Sequence, residues 1–280
     1  MQLINSERTG AITIAEFDGE PTLDSSVKRE PDDYCALFLD VETTGFSSEN
    51  DSVIQLALRP VFINRKTFKI SHLAGTKVLY NDPGVEISEE ISHLTGVTQA
   101  DVAGEAINWK WLSGIIEKVD FVVCHNAKFD RSFIMKHLRE ADIVEPSTLW
   151  ACSLRQIDWK DKCKASSAQE VLCVWHGFYY QAHDAANDVN ALIHLLRISG
   201  RMEELLTTAQ ASHWRVFAVN LPFDKKDEIK SRQYRWDNEV RMWSITFRSE
   251  NDAKTESQYL STQYKIEPQV FEITPQYLFA

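Results

Sequence analysis

The chain has 280 residues, 44% hydrophobic and 25% charged, so it can bury a full core and has room for a smaller second domain. This composition excludes a disordered chain, and no apolar run approaches the ~18 to 20 residues that cross a bilayer, so we expect no membrane contact. The formal net charge of −11 argues against tight, non-specific binding of nucleic acid, which depends on lysine and arginine.

The cysteines and the amino terminus indicate a compartment. The five cysteines contain no Cys-x-x-Cys pair, so neither a disulfide framework nor a zinc site is suggested. The first twenty residues are acidic and lack the basic-then-apolar order of a secretory signal. We therefore expect a reducing, cytoplasmic location.

Charge divides the chain into three regions. Residues 1–33 carry eight acidic and three basic side chains with weak periodicity, and we expect a loosely held acidic arm there. Residues 34–200 form the main predicted domain, and residues 201–280 a small α+β domain rich in aromatic and basic side chains. Within the latter, residues 214–248 carry eight basic and five acidic side chains, so any further phosphate contact is expected there.

The strands of the main domain come first along the chain. The apolar run 36–39 predicts a buried strand, and residues 53–63 and 68–79 predict two more around a turn at 64–66. Residues 121–124 predict another buried strand. Helices are predicted from Ser88, which would cap a short one, and over 109–119, 128–140, 167–175 and 185–197.

The order of these elements predicts the fold class. A meander of strands followed by alternating strands and helices favours an α/β fold, with a mixed sheet flanked by helices. A second unit is expected from about Trp214. Its predicted elements are a strand at 214–219, a helix at 225–232, and a hairpin of 234–236 with 242–245.

Two acids follow the first buried strand. Asp40 and Glu42 are two residues apart, so their side chains point to the same face of the strand. Such a pair is repelled unless a cation lies between the carboxylates, and Mg²⁺ and Mn²⁺ favour oxygen ligands. The alternative is that both acids lie at an exposed strand end.

A third acid lies on a predicted helix. Asp130 shares a helical face with Phe133, Ile134 and His137, at spacings of three, four and seven. An acid on the inward face is costly unless it is paired or bound to a metal. The alternative is an acid stabilised by the helix dipole.

The fourth acid, Asp188, lies at the edge of the apolar stripe of the helix predicted at 185–197. His183 precedes it in a loop, where its imidazole would be open to solvent, or would be an ordinary surface histidine. Four carboxylates can converge only around about two divalent cations. That arrangement is used for in-line displacement at phosphorus.

The segments 40–45, 125–130 and 183–188 resemble, in order and spacing, the three sequence blocks of the DEDDh 3′–5′ exonucleases. That family includes the proofreading epsilon subunit of bacterial DNA polymerase III. The resemblance covers residues 34–200 and implies a ribonuclease H-like sheet. It also implies release of nucleoside 5′-monophosphates from the 3′ end of DNA, or of RNA as the alternative. A silent binding module, the third possibility, should have lost at least one of the five residues.

The resemblance assigns roles to these residues. Asp40, Glu42, Asp130 and Asp188 would bind two Mg²⁺ or Mn²⁺ ions, and His183 would be the general base for the attacking water. The terminal nucleotide would be contacted by Thr43, Thr44 and Gly45, with Asn126 and Phe129 as further candidates. Core packing is the alternative for Phe129.

The second unit also carries a resemblance. Residues 234–236 and Trp243 resemble a small domain behind stand-alone, epsilon-like bacterial exonucleases. Its aromatic side chains would either stack on bases or, as we favour, fill a small core. Residues 276–280 resemble peptides that dock on sliding clamps, with spacing one residue short; the alternative is a tail packed on its own domain. No polymerase motif is visible, so proofreading would require a polymerase partner.

Overall fold

The computed structural model describes residues 13–161, 166–238 and 240–279. The first twelve residues of the predicted acidic arm, Cys163 and Ala280 lie outside these ranges. The chain forms two compact units, one of Met1–Ala209 with Phe279–Ala280 and the other of Gln210–Leu278. The first unit extends beyond residue 200 because Leu205 and Leu206 are buried in its core.

The first unit is built on a mixed sheet. Its central strand pairs antiparallel with the long second strand of the meander and parallel with the strand at 121–124. The strands are β1 (Ala15–Glu16), β2 (Tyr34–Thr43), β3 (Val53–Ile63), β4 (Ile70–Leu73), β5 (Lys77–Tyr80), β6 (Phe121–Cys124), β7 (Leu149–Cys152) and β8 (Phe178–Tyr179). The helices are α1 (Glu89–Thr95), α2 (Gln99–Val102), α3 (Trp109–Ile116), α4 (Ala127–Glu140), α5 (Ser153–Gln156), α6 (Gln169–Trp175), α7 (Ala185–Ser199) and α8 (Met202–Gln210).

Both faces of this sheet are covered, which explains the unbroken apolar run in β2. Ala36 and Phe38 point into one core, with side chains of α7, while Leu37 and Leu39 point into the other, with side chains of α4. The strand order is β4-β3-β2-β6-β7, with β5 also paired to β3. This is the predicted mixed sheet flanked by helices.

The strand predicted at 68–79 is wrong as a single element. It forms β4 and β5, which pair with opposite ends of β3. Between them, the Arg59 side chain donates from Nε to the carbonyl of Ala74 at 2.8 Å. Pro60 stands beside Arg59 and has no N–H. The segment between β4 and β5 therefore leaves the hydrogen-bond ladder of β3 at this point.

The described part of the predicted arm is held rather than loose. β1 pairs parallel with β8. Phe17 packs on the ring of Phe178 with centroids 5.7 Å apart, and Glu20 forms a 3.0 Å ion pair with the buried Arg59. A two-residue strand shows no hydrophobic period, so the sequence pattern gave no sign of it.

The second unit is an α+β sandwich whose helices cover one face of an antiparallel sheet. Its elements are β9 (His213–Ala218), α9 (Lys226–Ser231), β10 (Arg235–Asp237), β11 (Met242–Phe247), α10 (Glu250–Tyr264) and β12 (Gln269–Ile273). The predicted hairpin forms between β10 and β11, whereas α10 was not predicted. Among the helices in the described ranges, none has the length and apolar character that crossing a membrane requires.

Candidate active site

Three carboxylates from two elements converge at the end of β2. Asp40 and Glu42 lie on the same face of that strand, and Asp188 lies in the first turn of α7. One carboxylate oxygen from each residue lies within 4.8 Å of the others. Across the described ranges, this is the one such grouping of three or more potential metal ligands. An all-oxygen donor set fits a hard divalent cation such as Mg²⁺ or Mn²⁺.

The fourth predicted acid lies close enough to Asp40 for its charge to raise the pKa of that carboxyl. Asp130, in the first turn of α4, is 2% exposed and faces inward beside the buried Phe133 and Ile134, as its helical spacing predicts. Burial raises the pKa of the Asp130 carboxyl to about 7, although hydrogen bonds from the backbone of Val41 and the thiol of Cys124 oppose the rise. An inward acid here is therefore costly without a cation.

The four carboxyl groups perturb one another. Burial raises the pKa of Asp40 well above its ordinary value, and the neighbouring charges of Asp130 and Asp188 add to the effect. The pKa of Glu42 is raised to about 8. Burial is the largest cause, and the charges of Asp188 and Asp184 add to it. Such groups cannot all ionise together unless cations neutralise them. The electrostatics of the site thus favour bound metal ions.

The Asp188 carboxylate is held by three hydrogen bonds. The Tyr180 hydroxyl and Nε2 of Gln169 donate to its Oδ1 at 2.5 and 3.2 Å, and the backbone N–H of His183 donates to its Oδ2 at 2.8 Å. Burial raises the pKa of Asp188 to about 6, while the bond from Tyr180 lowers it. Sequence reasoning missed Tyr180 and Gln169, because no spacing rule ties α6 or β8 to the site.

His183 lies in the loop before α7, as predicted. Its side chain is 47% exposed, and Nε2 lies 3.6 Å from Oε1 of Glu170. The backbone at His183 is left-handed, with a φ of 64°, a conformation that non-glycine residues rarely adopt. The hydrogen bond from its N–H to Asp188 holds the loop in this conformation. The imidazole is therefore close to the carboxylates and open to solvent.

Asp184 is a further acid at the site that sequence reasoning missed. It caps α7 by accepting a hydrogen bond from the N–H of Asn187 at 2.9 Å. Gln55 of β3 donates from Nε2 to Asp184 at 3.3 Å and accepts from the N–H of Ala185 at 2.9 Å. An aspartate directly before a predicted helix is an N-cap signal that would have identified it.

The loop after Glu42 is closed by its own side chains. The Thr43 hydroxyl donates to the carbonyl of Gly45 at 2.6 Å. The Thr44 hydroxyl donates to Asp51 at 3.3 Å and accepts from the N–H of Ser52 at 3.0 Å. A Cβ at Gly45 would lie 2.6 Å from the Asp51 carboxylate, so any other residue at this position would have to displace Asp51 or the loop. Both threonine hydroxyls therefore make hydrogen bonds within the loop.

The remaining predicted contact residues differ in exposure. Asn126 is exposed at the start of α4 and makes no side-chain capping bond. Phe129 is half-buried against the ring of Phe133, with centroids 4.9 Å apart, which favours the packing alternative. Phe46, which the sequence did not single out, is 89% exposed beside Gly45. An aromatic ring is thus available to solvent on the loop next to the carboxylates.

Two curated proteins resemble part of the chain. One is a PolC-type DNA polymerase III of Clostridium perfringens, 34% identical over 125 residues, which are 44% of this chain and 8% of the polymerase. The other is the PolC-type enzyme of Caldanaerobacter subterraneus subsp. tengcongensis, 28% identical over 115 residues, which are 40% of this chain and 8% of the polymerase. The chain thus spans a small part of the length of either polymerase.

A solved structure and a family model extend the comparison. A structure of exonuclease I is similar over 86% of this chain and 63% of its own, with a TM-score of 0.51 and 16% identity. This likeness confirms the predicted ribonuclease H-like fold class. Residues 37–196, more than half of the chain, match the family model described as Exonuclease. The chain therefore belongs to this exonuclease family, of the DEDD type that its sequence blocks predict, and is a nuclease.

Proposed function

We propose that this chain hydrolyses phosphodiester bonds at the 3′ end of DNA and releases nucleoside 5′-monophosphates. The observation that carries the proposal is that carboxylate oxygens of Asp40, Glu42 and Asp188 lie within 4.8 Å of one another, with the buried Asp130 near Asp40. Family membership supports the exonuclease reaction, and the PolC-type relatives support DNA as the substrate. The 3′ polarity rests on the resemblance of the three sequence blocks.

The carboxylates would bind two divalent ions, Mg²⁺ or Mn²⁺, which supply Lewis-acid stabilisation of the charge that develops at the phosphate. Asp40 and Glu42 would present oxygens from one strand face and Asp188 from α7. Asp130 would contribute a fourth carboxylate from α4. His183 would accept the proton of the attacking water, for which its exposed imidazole beside Asp188 is suited. Phe46, on the adjacent loop, would contact the terminal base.

The test uses matched DNA and RNA oligonucleotides labelled at one end or the other, with Mn²⁺ or with EDTA. We expect the 3′ label to leave as a mononucleotide, and the 5′-labelled strand to shorten stepwise, only with the metal and faster on DNA. Asp188→Asn should abolish the reaction, whereas Asp227→Asn, at an exposed acid of the second unit, should not. Release of the 5′ label first would overturn the polarity, and a faster reaction on RNA would overturn the DNA assignment.

A polymerase partner is proposed only on the basis of the PolC-type relatives. The sliding clamp receives less support, because Phe279 is half-buried against a core of the first unit. That contact favours a packed tail, but Phe279 packs in the first unit and not on the 201–280 domain that the alternative named. The cytoplasmic location stays a prediction.

A further inference from the structure

The second unit has one sheet face that its helices do not cover. In chain order its elements run β-α-β-β-α-β, and the antiparallel strand order is β10-β11-β9-β12. The helices pack on the face that carries Val216, Ile245 and Val270, where Ala253 and Leu260 complete the core. A four-stranded sheet with both helices on one side leaves the opposite face without a helical layer.

The register of the strands defines the uncovered face. Residues directly opposite each other in an antiparallel pair share a face. Phe217 of β9 is opposite Ser244 of β11 on one side and Gln269 of β12 on the other, and Ser244 is opposite Arg235. In the next row, Arg215 is opposite both Thr246 and Phe271. We call these seven residues the open face: Arg215, Phe217, Arg235, Ser244, Thr246, Gln269 and Phe271. The same register extends this side of the sheet to the buried His213 at one end and to Asp237 and Met242 at the other.

Two aromatic rings lie together on the open face. The rings of Phe217 and Phe271 are 5.9 Å apart at an angle of 75°, and Phe271 is 51% exposed. Neither ring belongs to the core of this unit, which lies on the other side of the sheet. Core filling therefore accounts for Trp214 and Trp243 but not for this pair. An exposed phenylalanine at mid-strand offers a flat apolar surface to a ligand.

The charge of the open face is positive, although the chain as a whole carries −11. Arg215 and Arg235 belong to it, and among the described residues neither side chain has a hydrogen-bond or ion-pair partner. The remaining neighbours, Ser244, Thr246 and Gln269, are neutral hydrogen-bonding side chains. Phe271 is the exposed ring of the pair, and Phe217 is buried. Unpaired guanidinium groups beside an exposed ring match a ligand that has phosphates and planar groups.

We propose that the open face binds a single-stranded nucleic-acid segment, with a base stacked on Phe271 and phosphates held by Arg215 and Arg235. A four-stranded sheet that presents aromatic side chains on one face is how one common class of domain binds single strands. The strand must be single because paired bases do not offer their faces to a ring. This inference deepens the proposed function and rests on it, since it assigns a second contact to the same substrate.

The test compares two double variants of the full chain. Arg215→Ala with Phe271→Ala removes one cation and one exposed ring from the open face. The control, Phe223→Ala with Lys226→Ala, also removes one cation and one ring, but from elsewhere in the unit. There, Lys226 Nζ lies 4.5 Å from the Phe223 ring centroid. Affinity is measured by fluorescence anisotropy in EDTA on DNA and RNA strands of about 20 nucleotides, over a range of salt concentrations. Turnover is measured with Mn²⁺ on a trinucleotide.

The open-face variant should bind the long strand roughly 5- to 100-fold more weakly, as loss of one base stack predicts. The slope of the logarithm of its binding constant against the logarithm of salt concentration should become shallower by about 0.7 per lost phosphate contact. Trinucleotide turnover should not change. Phe217→Leu removes the ring that packs against Phe271 but retains bulk at a buried position, so it should also weaken binding. The DNA and RNA arms identify which strand the open face holds.

Equal affinity of the open-face and control variants would overturn the inference. This result is separable from failure of the proposed function. If the parent protein bound the long strand through the open face but did not degrade the trinucleotide with Mn²⁺, the enzymatic proposal would fail and the binding proposal would stand.

Discussion

The Tyr180 hydroxyl donates a 2.5 Å hydrogen bond to Oδ1 of Asp188. This bond, with that from Gln169, fixes one oxygen of the carboxylate and leaves the group oriented toward Asp40 and Glu42. Partners of this kind typically change metal affinity or activity by about 10- to 100-fold when they are removed. Tyr180 is therefore a positioning residue for the proposed metal ligand.

Tyr180→Phe should lower turnover by roughly 10-fold and weaken Mn²⁺ binding, because Asp188 loses the bond that orients it. Mn²⁺ affinity by titration calorimetry and turnover on an oligonucleotide measure the two effects. Tyr179→Phe serves as the control, since Tyr179 is 47% exposed. A Tyr180→Phe protein with parental Mn²⁺ affinity and turnover would show that the bond has no positioning role.

Removing the proposed general base should separate catalysis from metal binding. His183→Ala should reduce turnover by about 10²- to 10⁴-fold, the usual contribution of such a group, while Mn²⁺ affinity changes little. Glu170→Gln is an informative companion, because it removes the charge nearest the His183 imidazole but retains the imidazole. If His183→Ala weakened Mn²⁺ binding as strongly as it slowed turnover, the side chain would be a ligand and not a base.

Gly45 tests the loop beside the carboxylates. Gly45→Ala places a Cβ 2.6 Å from the Asp51 carboxylate, so the loop must shift. We expect a loss of about 1 to 3 kcal/mol in the free energy of unfolding, together with reduced turnover. Denaturant melts measure the first effect. Gly45→Ala with Asp51→Ala should recover part of the loss relative to Asp51→Ala alone; no recovery would place the clash elsewhere.

His125 should make stability depend on pH. Burial lowers the pKa of its imidazole to about 4, and its ring nitrogens contact the Ser153 hydroxyl at 2.7 Å and the Ser167 carbonyl at 2.9 Å. The folded pKa is depressed, so between pH 6.5 and 4 the unfolded chain binds a proton that the folded chain does not. Stability is thus complete above pH 6.5 and falls as the pH drops.

The contribution of His125 between pH 7 and pH 5 should be about 2 kcal/mol. His125→Asn should remove it, so that the pH dependence of the variant is shallower than that of the parent in urea melts. His93→Asn, at an exposed histidine, is the control and should leave the slope unchanged. Parallel slopes for the parent and His125→Asn would contradict the assignment.

Local spacing was sufficient to predict the acids of the site. Period two placed Asp40 with Glu42, and helical spacing placed Asp130 inward beside Phe133, because both patterns are fixed by backbone geometry. The bond from Tyr180 to Asp188 joins the segment after β8 to the first turn of α7, and no local period encodes such a contact. The break between β4 and β5 at Ala74 was not predicted for the same reason, since it involves the Arg59 side chain, fifteen residues away.

The second unit shows the opposite error. The helix α10 was missed because its buried residues, Ala253, Leu260 and Tyr264, are few and widely spaced along a polar segment. The aromatic residues of the unit were predicted to be mostly core. That is true of Trp214, Trp243 and Tyr234, but it is wrong for Trp236 and Phe223, which are 47% and 81% exposed. The exposed Phe271 can be recognised only once strand register assigns it to a face.

The central claim is that Asp40, Glu42, Asp130 and Asp188 bind divalent ions together. Anomalous diffraction from a crystal of the protein grown with Mn²⁺ tests it most directly. We predict two manganese peaks among these four carboxylates, both lost in Asp188→Asn. A fully occupied crystal in which manganese lies elsewhere, with the four carboxylates free of it, would contradict the account.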